Sequence, residues 1–142
     1  MPYKPYDLFI SYKSEDVHLV RRIAEALISS GYMVWFAEYQ VLLLNYERFQ
    51  TAINEGIRSS RYGVCFTNDR YVDSVHCRSE LEQLLEPRNC GPKKIIEIMI
   101  PNQPRTREQY PQLIDAHALE HVFVEETLEH ISKKVGIPLV SR

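Results

Sequence analysis

The sequence predicts an α/β fold, a three-layer α/β/α sandwich around a parallel five-stranded sheet. Short apolar runs alternate with amphipathic stretches, a pattern typical of βαβ units. The run Ile95–Ile100 (IIEIMI) is almost unbroken in its apolar character, as expected for a strand that is covered on both faces. A length of 142 residues suits one domain, so we assign residues 1–142 to a single domain.

Five segments are predicted to be strands because β-branched, aromatic and other apolar residues dominate them. A turn-rich segment follows the first strand (KSED) and another follows the third (NDRYVD), and a polar, proline-rich connection covers Pro101–Gln112. The predicted strands are Asp7–Tyr12, Tyr32–Ala37, Tyr62–Thr67, Ile95–Ile100 and the short His121–Val124.

The first predicted helix follows KSED. It ends at Ser30-Gly31, since glycine readily adopts the left-handed conformation beyond a helix C-terminus. Its apolar positions recur at helical spacing and are expected to face the core. These positions are Val20, Ile23, Ala24, Leu27 and Ile28.

Three further helices are predicted. A long loop, Glu38–Asn45, leads into the second helix, for which Asn45 is a plausible N-cap. The third helix, Ser74–Glu86, is stopped by Pro87, because proline cannot continue a helix. The last helix covers Glu125–Val135.

The charge balance argues against nucleic acid as a partner. Seventeen basic and nineteen acidic residues are spread along the chain, the net charge is −2, and the sequence shows no strongly basic patch. The N-terminal MPYKPYDLF lacks the long apolar region of a signal peptide. No run approaches the ~18 apolar residues that span a bilayer, so we expect no direct membrane contact.

The cysteines indicate the compartment. Cys65, Cys77 and Cys90 are an odd number without CxxC spacing, which suggests neither a disulfide framework nor a zinc site. Cys65 lies in an apolar run and Cys77 on the apolar face of a helix, so both are expected to be buried and reduced. This favours a cytoplasmic location.

The active site is expected at one edge of the sheet. In parallel α/β sheets, ligands bind outside the carboxyl ends of the strands. The segments predicted to lie there are Tyr12–Asp16, Ala37–Tyr46, Asn68–Ser74 and the connection after Ile100.

Three segments in order resemble the boxes of Toll/interleukin-1 receptor (TIR) domains. YDLFISYKSED is similar to the first box, and VWFAEY to the second strand and the loop that follows it. IRSSRYGVCFTNDRYVDSVHCRSELEQLL is similar to the family's third strand, its S-x-x-Tyr loop and its Cys-x-x-Glu-Leu helix. The resemblance runs from about Tyr6 to Leu85 and implies a flavodoxin-like parallel sheet.

The resemblance implies one of two functions. Many animal TIR domains are adaptors that signal by TIR–TIR contact, whereas many bacterial and plant members cleave NAD+. For this chain it favours an NAD+ nucleosidase, a glycohydrolase or ADP-ribosyl cyclase, in bacterial immune or cell-suicide signalling such as antiviral defence. The resemblance makes Glu80 the catalytic carboxylate, NAD+ the substrate without a further cofactor or metal, and TIR–TIR self-association the mode of assembly.

Helical geometry is compatible with that role for Glu80. The apolar stripe of its helix comprises Cys77, Leu81, Leu84 and Leu85, and Glu80 falls at the edge of that stripe, roughly 40° from Leu84. A carboxylate at a core boundary is partly desolvated and stabilises an oxocarbenium-like ribose without a metal. The alternative is a solvated surface pair of Glu80 with His76.

Six residues are candidates for binding the substrate: Ser11, Tyr12, Lys13, Phe36, Glu38 and His76. By the resemblance, the turn at Ser11–Lys13 touches the dinucleotide, and a lysine there meets its phosphates. An aromatic ring at Phe36 would stack on a base. The alternatives are that Ser11 and Tyr12 bond the backbone, that Lys13 is solvated, and that Phe36 packs in the core.

Two departures from the family pattern concern this site. The segment YQVLLLNYERF contains no glycine, and its Val41–Leu44 tetrad is either an interface or buried against the domain. His76 stands where many relatives have tryptophan. The alternative function that the resemblance implies is a non-catalytic TIR scaffold that acts by homotypic association. A receiver-like signalling domain is a third, disfavoured interpretation, and the choice between hydrolysis and cyclisation stays open.

Overall fold

The computed structural model describes residues 4–40, 46–100, 117–118 and 124–139. Four strands make the body of a fully parallel sheet, and a two-residue segment pairs with its last strand. The strands are β1 (Tyr6–Ser11), β2 (Val34–Trp35), β3 (Ser60–Thr67), β4 (Ile95–Met99) and β5 (His117–Ala118). Their order across the sheet is β2-β1-β3-β4-β5.

Helices cover both faces of this sheet. Two short 3-10 turns, at Ser14–Asp16 and Pro92–Lys94, supplement them. The helices are α1 (Val17–Ser29), α2 (Ala37–Gln40), α3 (Tyr46–Arg58), α4 (Asp69–Asp73), α5 (Val75–Leu85) and α6 (Val124–Val135).

Two hydrophobic cores lie on opposite faces of the sheet. Because successive strand residues point to opposite faces, the neighbours Leu8 and Phe9 enter different cores. The core on the Leu8 face packs against α1 and α6, which contributes Ile131. The core on the Phe9 face packs against α3, α4 and α5. This arrangement confirms the predicted three-layer α/β fold with a parallel sheet.

Two side-chain caps shape the connection after β3. Asn68 Oδ1 accepts a hydrogen bond from the backbone N–H of Tyr71 at 2.9 Å, which starts α4. Ser74 Oγ accepts one from the backbone N–H of Cys77 at 3.2 Å, which starts α5. The chain thereby folds back toward the carboxyl end of β1, where the hydroxyl of Tyr71 contacts Ser11.

The structure corrects two predicted loops. Ala37–Gln40 is helical, although Glu38–Asn45 was expected to be a loop, and Asp69–Asp73 is helical within NDRYVD. In the second case the Asn68 cap supplies the first hydrogen bond, a local effect that outweighs the turn composition. Residues 41–45, with the predicted Asn45 cap and the Val41–Leu44 tetrad, lie outside the described part of the chain.

Predicted strand positions also change. Within the part of the chain that the structure describes, β2 pairs with β1 alone and is limited to Val34–Trp35, since edge strands are often short. The pairing beyond β4 occurs at His117–Ala118, and Val124, predicted to end a strand, instead begins α6. Residues 121–123 and the predicted connection Pro101–Gln112 lie outside the described residues.

Side-chain burial supports most of the predicted core. Ile28 is the exception, 41% exposed, because it lies at the margin of the apolar stripe of α1. Cys65 and Cys77 are free and buried, in agreement with the expectation of packing residues, and Cys90 is free and buried as well. Among the described residues, no helix is long and apolar enough to cross a membrane.

Candidate active site

A cleft of about 580 Å³ opens at the carboxyl edge of the sheet, where the sequence placed the active site. Its floor comes from β1 and β2, one wall from α3 and another from the start of α5. The lining residues are Phe9, Ile10, Tyr12, Lys13, Ser14, Val17, Trp35, Ala37, Glu38, Phe49, Ile53, Ser74, His76, Cys77 and Glu80.

Glu80 is a partly desolvated carboxylate in this cleft. It lies on α5 beside a fully buried stripe of leucines, Leu81 and Leu84, and is itself partly exposed. Burial raises the pKa of Glu80 to about 7, and a hydrogen bond from Ser11 opposes that rise. The predicted position at a core boundary is confirmed, and such a group changes charge near neutral pH.

Ser11 connects Glu80 to a buried tyrosine. Its hydroxyl donates to Glu80 Oε1 at 2.8 Å and lies 2.7 Å from the hydroxyl of Tyr71. Ser11 and Tyr71 are both fully buried. Burial raises the pKa of Tyr71 well above its usual value, so the phenol is neutral. Ser11 therefore bonds the side chain of Glu80, a more specific role than the backbone bond considered from sequence.

Tyr12 lines the cleft in front of Phe36. The two rings are 5.3 Å apart, and Phe36 also meets Tyr39 edge to face at 5.0 Å. Phe36 is fully buried and does not line the cleft, so the structure gives it the packing role. Burial and the nearby Glu38 carboxylate raise the pKa of Tyr12 to about 12.

Glu38 is held at the cleft by an arginine of α1. Arg21 Nε donates to Glu38 Oε2 at 2.9 Å, and Arg21 Nη2 donates to Glu38 Oε1. This two-point contact fixes the plane of the carboxylate, as is usual for arginine–carboxylate pairs. Glu38 therefore presents an oriented acidic group to the space that also contains Glu80.

Lys13 supplies a positive charge to the same cleft. Its Nζ lies 3.2 Å from Oε1 of Glu15, which is exposed, and this contact lowers the pKa of Glu15. Because a surface pair of this kind is weak, Lys13 can exchange Glu15 for an anionic ligand.

His76 and Cys77 form the α5 side of the cleft. His76 is exposed, in agreement with its predicted position facing the same way as Glu80. Cys77 Sγ lies 3.5 Å from the carbonyl oxygen of Tyr12. Burial raises the pKa of Cys77 to about 11, so the thiol is protonated and is a poor nucleophile.

Several residues of the cleft were not predicted from the sequence to belong to the site. The apolar lining from Phe9, Trp35, Phe49 and Ile53 makes a surface suited to flat rings, and Phe9 stacks on Trp35 at 4.8 Å. The role of Tyr71 was likewise missed, although this residue lies shortly after β3, in the NDRYVD segment expected at this edge. Among the described residues, no group of three or more His, Cys, Asp or Glu side chains is arranged to hold a metal ion.

Comparison with known proteins identifies the family that the chain resembles. The family model described as "TIR domain" matches residues 8–131. The 2' cyclic ADP-D-ribose synthase BtTIR of Bacteroides thetaiotaomicron is 32% identical over 98 residues, 68% of this chain and 33% of that protein. The NAD(+) hydrolase TcpA of Theionarchaea archaeon (strain DG-70-1) is 32% identical over 94 residues, 66% of this chain and 28% of its own length.

A longer match includes most of this chain. The NAD(+) hydrolase TirS of Staphylococcus aureus (strain MSSA476) is 30% identical over 132 residues, 89% of this chain and 46% of that protein. The chain thus spans between about a quarter and a half of the length of these relatives.

Solved structures agree on the fold. The TIR domains in the activated Roq1 resistosome superpose with a TM-score of 0.67 at 18% identity, covering 92% of this chain and 99% of theirs. The TIR domain of the Toll-related receptor TRR-2 from Hydra magnipapillata gives a TM-score of 0.69 at 16% identity, covering 92% and 98%.

Proposed function

The chain belongs to the TIR domain family, and we propose that it cleaves the nicotinamide–ribose bond of NAD+ with Glu80 as the catalytic carboxylate. The observation that carries this proposal is a partly buried carboxylate, hydrogen-bonded by Ser11, on the wall of a 580 Å³ cleft at the carboxyl edge of the sheet. Relatives at about 30% identity are named NAD(+) hydrolase and 2' cyclic ADP-D-ribose synthase, which supports the same reaction class.

The chemistry requires a negative charge beside the ribose. The bond between ribose C1' and the pyridinium nitrogen breaks, and its electron pair leaves with neutral nicotinamide. The ribose becomes an oxocarbenium-like cation, which the Glu80 carboxylate stabilises electrostatically or by holding the ribose hydroxyls. Water then adds to C1' to give ADP-ribose, or a hydroxyl of the same molecule adds to give a cyclic isomer, and either addition releases one proton.

In this proposal, each of the other candidate residues has a separate role, either contacting one part of the substrate or supporting a residue that does. Lys13 contacts the phosphates, and Glu38, held by Arg21, accepts from ribose hydroxyls. Tyr12 and His76 contact the rings at the rim of the cleft. Ser11 acts through Glu80, and Phe36 acts by supporting Tyr12 from behind.

The proposal includes a cellular setting. We place the activity in the cytoplasm of a bacterium, in immune or cell-suicide signalling, with TIR–TIR self-association as the assembly mode. The three buried, free cysteines suit a reducing compartment, and the relatives include bacterial enzymes. Sedimentation over a concentration series, with NAD+ turnover measured at each concentration, tests whether assembly and activity rise together.

Product chromatography tests the function. The protein is incubated with NAD+ at several concentrations, and nicotinamide, ADP-ribose and cyclic isomers are quantified. We expect nicotinamide in equal amount to the sum of the ribosyl products. Assembled protein that leaves NAD+ intact would contradict the proposal and favour a scaffold that acts only by homotypic association.

A further inference from the structure

We propose that Tyr71 is a positioning residue for Glu80, and that it acts through the hydroxyl of Ser11. The inference rests on the proposed role of Glu80 as the catalytic carboxylate. Three side chains from three elements, Tyr71 of α4, Ser11 of β1 and Glu80 of α5, form a continuous chain of hydrogen bonds with lengths of 2.7 and 2.8 Å.

The donor and the acceptor in each of these hydrogen bonds follow from the number of hydroxyl hydrogens. A serine hydroxyl carries one hydrogen, and Ser11 donates it to Oε1 of Glu80. The contact between Ser11 and Tyr71 then requires the phenol of Tyr71 as the donor and Ser11 Oγ as the acceptor. Both hydrogen bonds thus point toward the carboxylate, and each polarises the next so that the bond to Glu80 is strengthened.

Burial protects the hydrogen bonds that link Tyr71, Ser11 and Glu80. Ser11 and Tyr71 are fully buried, so water has no access to replace either hydroxyl. Tyr71 is placed by the cap that Asn68 gives to α4. Ser11 bonds Oε1 of Glu80, and in this proposal the other oxygen, Oε2, faces the substrate.

Within the described part of the chain, the titratable groups packed around Glu80 do not supply a charge that would stabilise its carboxylate. The titratable groups that interact with it from the packed elements are all kept neutral, because burial raises the pKa of each. They are Tyr12 at the end of β1, Cys65 on β3, Tyr71 on α4 and Cys77 on α5. Lys13, Glu38 and His76 line the same cleft.

The Ser11 hydrogen bond opposes the effect of burial on the pKa of Glu80. Burial favours the protonated acid, whereas the donated hydrogen bond favours the carboxylate. Tyr71 therefore limits the rise in the pKa of Glu80 through Ser11, and keeps one carboxylate oxygen in place, without touching the substrate.

The test measures the titration of Glu80 in the ligand-free protein. Carbon-13 NMR of the glutamate carboxyl groups is followed against pH, with the Glu80 resonance assigned by its loss in Glu80→Gln. We expect Ser11→Ala to raise the Glu80 midpoint by about 1 pH unit, the effect of losing a hydrogen bond to a charged group. Tyr71→Phe should raise it by a smaller amount, about 0.3 unit, because it weakens the donor one step away.

The double variant separates positioning from structural damage. If Tyr71 acts through Ser11, then Tyr71→Phe in the Ser11→Ala background should add no further shift. Tyr32→Phe is a matched control, since Tyr32 is also buried and its hydroxyl donates a 2.5 Å hydrogen bond, to the carbonyl of Ile137 in the other core. This control should leave the Glu80 midpoint unchanged.

Two results would overturn the inference. In the first, Tyr71→Phe shifts the Glu80 midpoint equally in the wild-type and Ser11→Ala backgrounds. In the second, Tyr71→Phe shifts that midpoint no more than Tyr32→Phe does. The pH profile of nicotinamide release should show the same ordering, with its acidic limb moved to higher pH in Ser11→Ala and Tyr71→Phe. Because the NMR titration needs no substrate, an inactive wild type with the expected shifts would refute the NAD+ reaction and leave the positioning role standing.

Discussion

The hydroxyl of Ser11 donates a 2.8 Å hydrogen bond to Oε1 of Glu80, which joins the last residue of β1 to the middle of α5. The two residues are 69 positions apart in the chain. Glu80 belongs to a helix and its hydrogen-bond donor belongs to a strand. The core beneath these two elements fixes their positions, so the carboxylate does not depend on a loop. A reacting group held in this way needs little reorganisation when charge develops beside it.

Stability should depend on pH through Glu80. Its folded pKa, about 7, lies above the ordinary value of 4.5, so the folded protein holds this proton more tightly than the unfolded chain. The resulting stabilisation is complete below pH 4.5 and is lost as the pH rises through 7. We expect the wild type to lose about 3 kcal/mol of unfolding free energy between those limits through this group.

Glu80→Gln isolates that contribution, because the variant keeps every other titrating group. Urea unfolding of both proteins at pH 5 and pH 8 should show a larger loss for the wild type. Parallel pH dependences would mean that Glu80 titrates at its ordinary value.

Removing the arginine that holds Glu38 should weaken substrate binding more than folding. The Arg21 and Glu38 side chains are 34% and 22% exposed, so their pair stabilises the fold by at most about 1 kcal/mol. In Arg21→Ala, the Glu38 carboxylate is no longer oriented, and we expect KM for NAD+ to rise roughly fivefold with kcat little changed. Arg22→Ala, on the next position of α1, is the control for steady-state kinetics; equal KM values in the two variants would refute the role of the pair.

Lys13→Ala should raise KM for NAD+ by about tenfold, the loss of one charge-assisted hydrogen bond to phosphate. Added salt should weaken binding in the wild type more than in the variant, because salt screens the interaction that the variant lacks. Lys93→Ala removes an exposed lysine from the Pro92–Lys94 turn and should leave both values unchanged. A salt dependence identical in wild type and Lys13→Ala would place the phosphates elsewhere.

Gly56→Ala should destabilise the protein, although alanine favours helices. A Cβ at this position of α3 would lie 2.5 Å from Cε2 of Trp35, so the indole must shift. Overpacking of this kind costs about 2 kcal/mol, more than the roughly 1 kcal/mol gained in helix propensity. Thermal unfolding measures the net loss, and fluorescence reports the indole directly because Trp35 is the only tryptophan of the chain. An unchanged spectrum with higher stability would contradict this packing.

The sequence predicted β1, β3 and β4 to within two residues because their apolar runs are buried on both faces of the sheet. It did not predict α2 and α4, since helices of four and five residues depend on caps and neighbours more than on periodicity. Edge strands carry few pairing constraints, which explains why the predicted second strand is shortened to Val34–Trp35.

The candidate site was predictable where one helix determined it. The 3.6-residue period placed Glu80 at the edge of the stripe that contains Cys77 and Leu81, and the structure confirms this position. The contacts of Ser11 with Glu80 and Tyr71 join residues 69 and 60 positions apart, and no local pattern encodes them. Phe36, predicted as a substrate-binding candidate, is buried because the junction between β2 and α2 places its ring behind Tyr12.

The most direct measurement is the rate of nicotinamide release by Glu80→Gln compared with Glu82→Gln, which changes an exposed glutamate on the same helix. Both variants should remain folded by circular dichroism. If Glu80 is the carboxylate that stabilises the ribose cation, its variant should lose at least ~100-fold in kcat, whereas Glu82→Gln should match the wild type. A Glu80→Gln protein that releases nicotinamide at the wild-type rate would contradict the central claim.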